Sequence, residues 1–188
     1  MTAGALSSES LGQTSLIQTE PLPARPTCED RATTATASPG SDPKRVTAAF
    51  WDALYARDWE RIRSFFGADS IYYDVPTGPG SAARGPHDIE ARLQLGLDGL
   101  AAYEHGPATV VAEGPIVVTE HTEHWTWASG ERVALPFVSV QHVRDGLIIL
   151  WRDYWDLQTL MNAAPASWRD RLDNADLSWI FDATEVVP

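Results

Sequence analysis

Only one cysteine, Cys28, and one lysine, Lys44, occur in the 188 residues of this chain. A lone thiol excludes an intramolecular disulfide framework and a zinc site built from several cysteines. The scarcity of lysine accompanies a formal net charge of -12. Without clustered Lys and Arg to neutralise phosphate, binding to nucleic acid or to an anionic membrane is not expected. Long apolar runs are also missing, since none approaches the roughly 20 residues of a membrane-spanning helix. The one glycine-rich stretch, Gly78 to Gly85, carries no lysine, so it does not read as a loop that cradles phosphate. Met1 to Glu20 lacks the basic-then-apolar order of a secretion signal. These absences together give the expectation of a soluble, cytoplasmic protein.

What the chain has in quantity is aromatic and apolar surface. With 44% hydrophobic residues and eight tryptophans, it can bury one sizeable core and line a pocket with rings. Composition divides it into three parts. Residues 1–42 are rich in Ser, Thr, Ala and Pro without apolar periodicity and read as a flexible extension. Residues 43–162 carry the periodic patterns of a folded domain. Residues 163–188 form a tail whose Trp168, Leu172, Leu177, Trp179, Ile180 and Phe181 suit either a lid or a contact with a neighbouring subunit.

Within the domain, Asp42-Pro43 is a helix start, with Asp as the cap and Pro in the first turn. Val46, Ala49, Phe50, Ala53 and Leu54 follow at helical spacing. A short helix is expected over Trp59 to Phe66, a strand over Ser70 to Val75, and a third helix over Pro86 to Leu100. Four strands come next, over Tyr103 to Glu113, Ile116 to Ala128, Arg132 to Arg144 and Leu147 to Asp156, with turns at Gly114-Pro115, Ser129-Gly130 and Asp145-Gly146. Helices first and a meander after them make the fold class α+β.

Two of these strands place ionisable groups among apolar ones. Because side chains alternate between faces, one row holds Val117, Thr119, His121, Glu123, Trp125 and Trp127, and another holds Leu147, Ile149, Trp151, Asp153 and Trp155. A buried, unpartnered carboxylate costs several kcal/mol. If that face is interior, His121, Glu123 and Asp153 must satisfy one another or a ligand, as acid/base sites do. His121 and His124 fall on opposite faces, so no two-histidine metal site is expected.

Tyr72-Tyr73-Asp74-Val75-Pro76, Thr119-Glu120-His121-Thr122-Glu123 and Trp151-Arg152-Asp153-Tyr154-Trp155-Asp156 resemble segments of the limonene-1,2-epoxide hydrolase family and of the related SnoaL-like polyketide cyclases. Both belong to the nuclear transport factor 2-like superfamily. The resemblance implies a cone-shaped, strongly curved mixed sheet wrapped around a pocket, with three helices in the N-terminal half. It further implies a homodimer formed through the outer sheet face, where Val118, Val138 and Val140 are candidate contacts. By the same resemblance Tyr72 and Asp74 help hold a water, although the family has Asn at the second place. His121 and Glu123 stand where the family has Arg and the Asp that protonates the epoxide oxygen. Asp153 occupies the place of the base unchanged.

Opening an epoxide in one step needs a water activated on one side and a proton delivered on the other, which Asp153 and Glu123 could divide between them. The same His, acid and Tyr set also suits a cyclase, isomerase or dehydratase, in which Tyr steadies an oxyanion. A non-catalytic binding pocket is a further alternative. None of these needs a cofactor. Trp125, Trp127, Phe137, Trp151 and Trp155 are the expected wall for a hydrophobic small molecule such as a terpenoid or polyketide.

Overall fold

The computed structural model describes residues 42–188. Apart from Asp42, the extension expected over residues 1–42 lies outside the described residues, as does Cys28. The side chain of Asp42 caps the first helix, α1 (Pro43–Ala56), by accepting from the Lys44 amide at 3.1 Å. Helix α1 buries Val46, Phe50, Trp51, Ala53 and Leu54 and ends where Arg57 turns left-handed. Asp58 caps α2 (Trp59–Arg63), which is shorter than the periodicity suggests. After β1 (Ile71–Asp74) comes a strand with no apolar signature, β2 (Ala82–Arg84), leading into α3 (Gly85–Leu97). Gly85 makes that corner at φ +81, where a Cβ would lie 3.1 Å from the Ala68 carbonyl oxygen.

The stretch expected as one strand over Tyr103 to Glu113 is two, β3 (Leu100–His105) and β4 (Thr109–Glu113). Gly106-Pro107 interrupts the ladder, because Pro has no amide hydrogen to offer and Gly weakens a strand. Both pieces pair antiparallel with the long β5 (Ile116–Trp127), β3 along its second half and β4 along its first. β6 (Arg132–Arg144) and β7 (Leu147–Tyr154) complete the meander. Two short helices, α4 (Leu157–Ala163) and α5 (Ala166–Asp173), and a two-residue strand, β8 (Ile180–Phe181), follow.

The sheet order is β3-β5-β6-β7-β1-β2-β8, with β4 beside β5 off this path. β1 runs parallel to β7 and the other pairings are antiparallel, so the curved sheet is mixed. Every second residue of β5 from Val117 to Trp127 is buried, as alternation predicts. On β7 the expected row is corrected at its start: Ile148, not Leu147 or Ile149, is fully buried. Ile149 is an extra residue between the Ile148-Val143 and Leu150-His142 pairs, and such a bulge changes which side chains face inward. From Trp151 onward the inner row holds. The main core then packs α1 and α3 into the sheet, with Phe50 set edge-on against Trp51, Phe65, Phe66 and Trp151.

Candidate active site

Strand register assembles the site. Thr119, Ser139, Asp153 and Asp74 are successive cross-strand neighbours on β5, β6, β7 and β1, and Gln141, Trp151 and Tyr72 form the adjoining row. The parallel pairing of β1 with β7, strands far apart in sequence, thus places two carboxyls and a phenol on one inner surface. Tyr72, not Tyr73, points into it; Tyr73 packs on the other side with Ala82, Leu150 and Ala183.

Asp153 is 3% exposed. Its Oδ1 accepts from Ser139 Oγ and from Trp151 Nε1, each at 2.5 Å, and its Oδ2 lies 3.3 Å from Tyr72 Oη. Burial, and next the nearby Asp74 carboxylate, raise its proton affinity well above the usual carboxylate range, against the pull of the Ser139 and Trp151 bonds. Asp74 is held by three donors: Tyr72 Oη at 3.0 Å, Trp155 Nε1 at 2.8 Å and the Arg92 guanidinium at 2.7 Å. Its side chain does not cap the following loop; the Asp74 carbonyl does that, accepting from Thr77.

Glu123, also 3% exposed, has its own set of donors. Tyr103 Oη donates to Oε1 at 2.6 Å, Trp125 Nε1 donates to Oε2 at 2.9 Å, and Tyr55 Oη lies 3.5 Å from Oε1. Burial in the first place, and then the adjacent carboxylates, push the Tyr55, Tyr72 and Tyr103 phenols up, so all three remain neutral donors. His121 Nε2 is 3.4 Å from Glu123 Oε1, with the ring packed edge-on to Trp51 and alongside Phe137. The structure brings His121 to Glu123 and not to Asp153, so it supports one carboxyl from behind and does not bridge the two. His124, on the opposite face, is exposed. Among the described residues no group of three His, Cys, Asp or Glu is placed to hold a metal ion.

Both carboxyls open onto one cavity of about 310 Å³. Of the expected wall, Trp125, Phe137, Trp151 and Trp155 line it, together with Tyr72 and Asp74. Trp127 does not line it; its ring packs edge-on against Trp125 and Trp168, which also touch each other. Sequence reasoning passed over Arg92 and Tyr103, which also line the cavity. Arg92 left a signal, since it follows Ile89 by three residues and so stands on the apolar stripe of α3. α1, α3 and α4 add Leu54, Leu93 and Leu160, and the tail supplies a further part of the wall through Trp168, Leu172, Leu177, Trp179 and Ile180. Trp168 Nε1 donates to the Gly96 carbonyl at 3.1 Å, and the Trp179 ring lies 5.5 Å from the Arg92 guanidinium carbon.

Residues 47–151, which include Tyr72 and Glu123 and end two residues short of Asp153, fit the SnoaL-like domain. The chain belongs to this family. Epoxide hydrolase EphG of Mycobacterium tuberculosis is 30% identical to it over 109 residues, which are 58% of this chain and 70% of that protein. Among solved structures, an M. tuberculosis LEH-like epoxide hydrolase is 29% identical with TM-score 0.54, covering 64% of this chain and 87% of its own. A protein assigned as a SnoaL-like polyketide cyclase, from Shewanella denitrificans, shares the fold at 19% identity with TM-score 0.59, covering 64% of this chain and 95% of its own. The nuclear transport factor 2-like α+β architecture follows from these matches.

The tail lies beyond the stretch that matches the SnoaL-like domain, so part of this chain's cavity wall is built outside it. Trp179→Ala is expected to raise KM for an apolar substrate about tenfold with kcat changed less, since one large ring of the wall is lost without touching either carboxyl. Steady-state kinetics check this, and an unchanged KM would remove Trp179 from the binding surface.

Proposed function

We propose that this SnoaL-like protein is a cofactor-independent epoxide hydrolase acting on a hydrophobic small molecule of terpenoid or polyketide-like size. The observation that carries the reading is the presence of Asp153 and Glu123, both buried, on one apolar cavity, each held by its own donors. The likeness in sequence and in structure to mycobacterial epoxide hydrolase supports it. In the step, a water in the cavity loses a proton to Asp153 as its oxygen attacks an epoxide carbon; the carbon–oxygen bond breaks and the departing oxygen takes the proton of Glu123. The product is a vicinal diol. Burial makes ionised Asp153 a stronger base than an exposed carboxylate, and Ser139 and Trp151 fix its direction. Tyr103 and Trp125 hold Glu123 toward the substrate, and His121 backs it.

A second reading has its own support. Asp153 favours its protonated form beside Tyr72 Oη, and its carboxylic O–H is a donor for an oxyanion, which suits a cyclase, isomerase or dehydratase. Turnover of hydrophobic epoxides in ¹⁸O-labelled water separates the readings. Hydrolysis gives a diol carrying one labelled oxygen, rearrangement gives unlabelled isomer, and tight binding without turnover indicates a binding protein. The proposal extends to assembly: two copies pair through the outer sheet face at Val118, Val138 and Val140, all of them half-buried in the single chain. Light scattering of Val138→Glu tests this, with a halved mass as the expected result.

A further inference from the structure

We infer that Tyr72 and Asp74 form a proton relay that connects Asp153 with the solvent. Tyr72 Oη is 3.3 Å from Asp153 Oδ2 and 3.0 Å from Asp74 Oδ1. One hydroxyl has one hydrogen and cannot donate to both carboxylates at once. The arrangement is satisfied in full when a protonated Asp153 donates to Tyr72 and Tyr72 donates to an ionised Asp74. From there a concerted shift moves the Asp153 proton to Tyr72 Oη while the hydroxyl proton of Tyr72 passes to Asp74 Oδ1. Tyr72 is neutral before and after, so no tyrosinate is required. The net change is a carboxylic acid at 74 and a carboxylate at 153, and the proton then leaves Asp74 for water.

Exposure gives the relay its direction. The Asp74 side chain keeps 15% of its surface in solvent, whereas Asp153 keeps 3% overall. A substrate that fills the apolar cavity covers the cavity side of Asp153; Asp74 lines the same cavity beside the exposed Thr77, so the outlet lies at the cavity rim on the β1 side. Asp74 is also the place at which the family resemblance implies Asn, a side chain that cannot take up a proton in this way. Arg92 from α3 and Trp155 from the end of β7 fix Asp74 beside Tyr72, and Thr77 takes a further Arg92 donor at 3.2 Å. The groups facing Asp153 are Ser139 from β6, Trp151 from β7, Tyr72 and Asp74 from β1, with the Glu123 charge on β5 acting at longer range.

The relay rests on the hydrolase reading only for its place in turnover, where it empties Asp153 after the base has taken the proton of water. Its own test needs no substrate. A pH jump followed by infrared absorption at the Asp153 carboxyl stretch, assigned by its loss in Asp153→Asn, reports how fast that group exchanges its proton. Asp74→Asn and Tyr72→Phe are each expected to slow the exchange about tenfold or more, and small buffer acids such as formic acid restore part of it. Unchanged rates in both variants would overturn the relay. With racemic styrene oxide as the probe, Asp74→Asn should lower kcat in a buffer-dependent manner and enlarge the solvent deuterium isotope effect. A loss that ignores buffer assigns Asp74 a purely structural role and overturns the relay. Failure of the unaltered protein to hydrolyse any epoxide sinks the hydrolase reading, while the infrared rates still decide the relay.

Discussion

Asp153→Asn is expected to lower epoxide turnover by about 10²- to 10⁴-fold, the usual worth of a general base, and to make the protein more stable at neutral pH. The first effect follows because an amide cannot accept the water proton. The second follows from the surroundings. The Asn oxygen keeps the Ser139 and Trp151 donors that Asp153 Oδ1 holds at 2.5 Å, and its NH₂ faces Tyr72 Oη, which can accept. The Ser139, Trp151 and Tyr72 contacts are kept, while a buried, like-charge-strained acid is removed. In the native state the Asp153 proton affinity is raised by burial and by Asp74. Between the ordinary carboxylate pKa and that raised value, the folded state therefore binds more protons than the unfolded one, and stability falls as pH rises through that window. The variant loses this slope. Thermal melts from acid to neutral pH, with kinetics on the same preparation, check both halves. Full activity would remove Asp153 from the mechanism, and an unaltered pH slope would show that its acid is not strained.

Glu123→Gln is expected to cost a similar factor in turnover with the opposite sign in stability. A glutamine has no acidic proton to give the departing oxygen. Its environment also rejects it, because Glu123 accepts on both oxygens, from Tyr103 at 2.6 Å and from Trp125 at 2.9 Å. One amide oxygen can serve only one of these donors. If it meets Tyr103, the NH₂ faces the Trp125 indole N–H, a buried donor against a donor, at a cost of about 1–3 kcal/mol. The melting temperature should fall where that of Asp153→Asn rises, and differential scanning calorimetry on the pair gives the contrast directly. Equal shifts in both variants would contradict the hydrogen-bond assignments around the two carboxyls.

Much of this site is legible before any folding is considered. His121, Glu123 and Asp153 stand out because a strict two-residue alternation puts charge among tryptophans, and alternation is a local property of the chain. The strands from Ile116 and Arg132 are readable for the same reason, and Asp42-Pro43 gives α1 its beginning. The bulge at Ile149 shows where alternation stops being enough, since an extra residue in one strand is visible only against its partner. Arg92 shows on the apolar stripe of α3, but that it, Tyr103 and Tyr55 meet the carboxyls is not readable locally for a related reason. They reach the carboxyls from α3, β3 and α1, and the docking of those elements on the sheet is decided by core packing around Phe50 and Trp151.

The sequence by itself determined the fold class, the alternation along β5 and which acids share a row with tryptophans, because these depend on periodicities of a few residues. It also showed a tail too apolar to stay in water. Only the tertiary structure decided that His121 backs Glu123 alone, that Tyr72 stands between Asp74 and Asp153, and that Trp179 joins the cavity wall beside Arg92. Tyr72 and Asp153 are 81 positions apart and Arg92 and Trp179 are 87, and distances over such separations are set by strand register and helix docking, which no local pattern encodes.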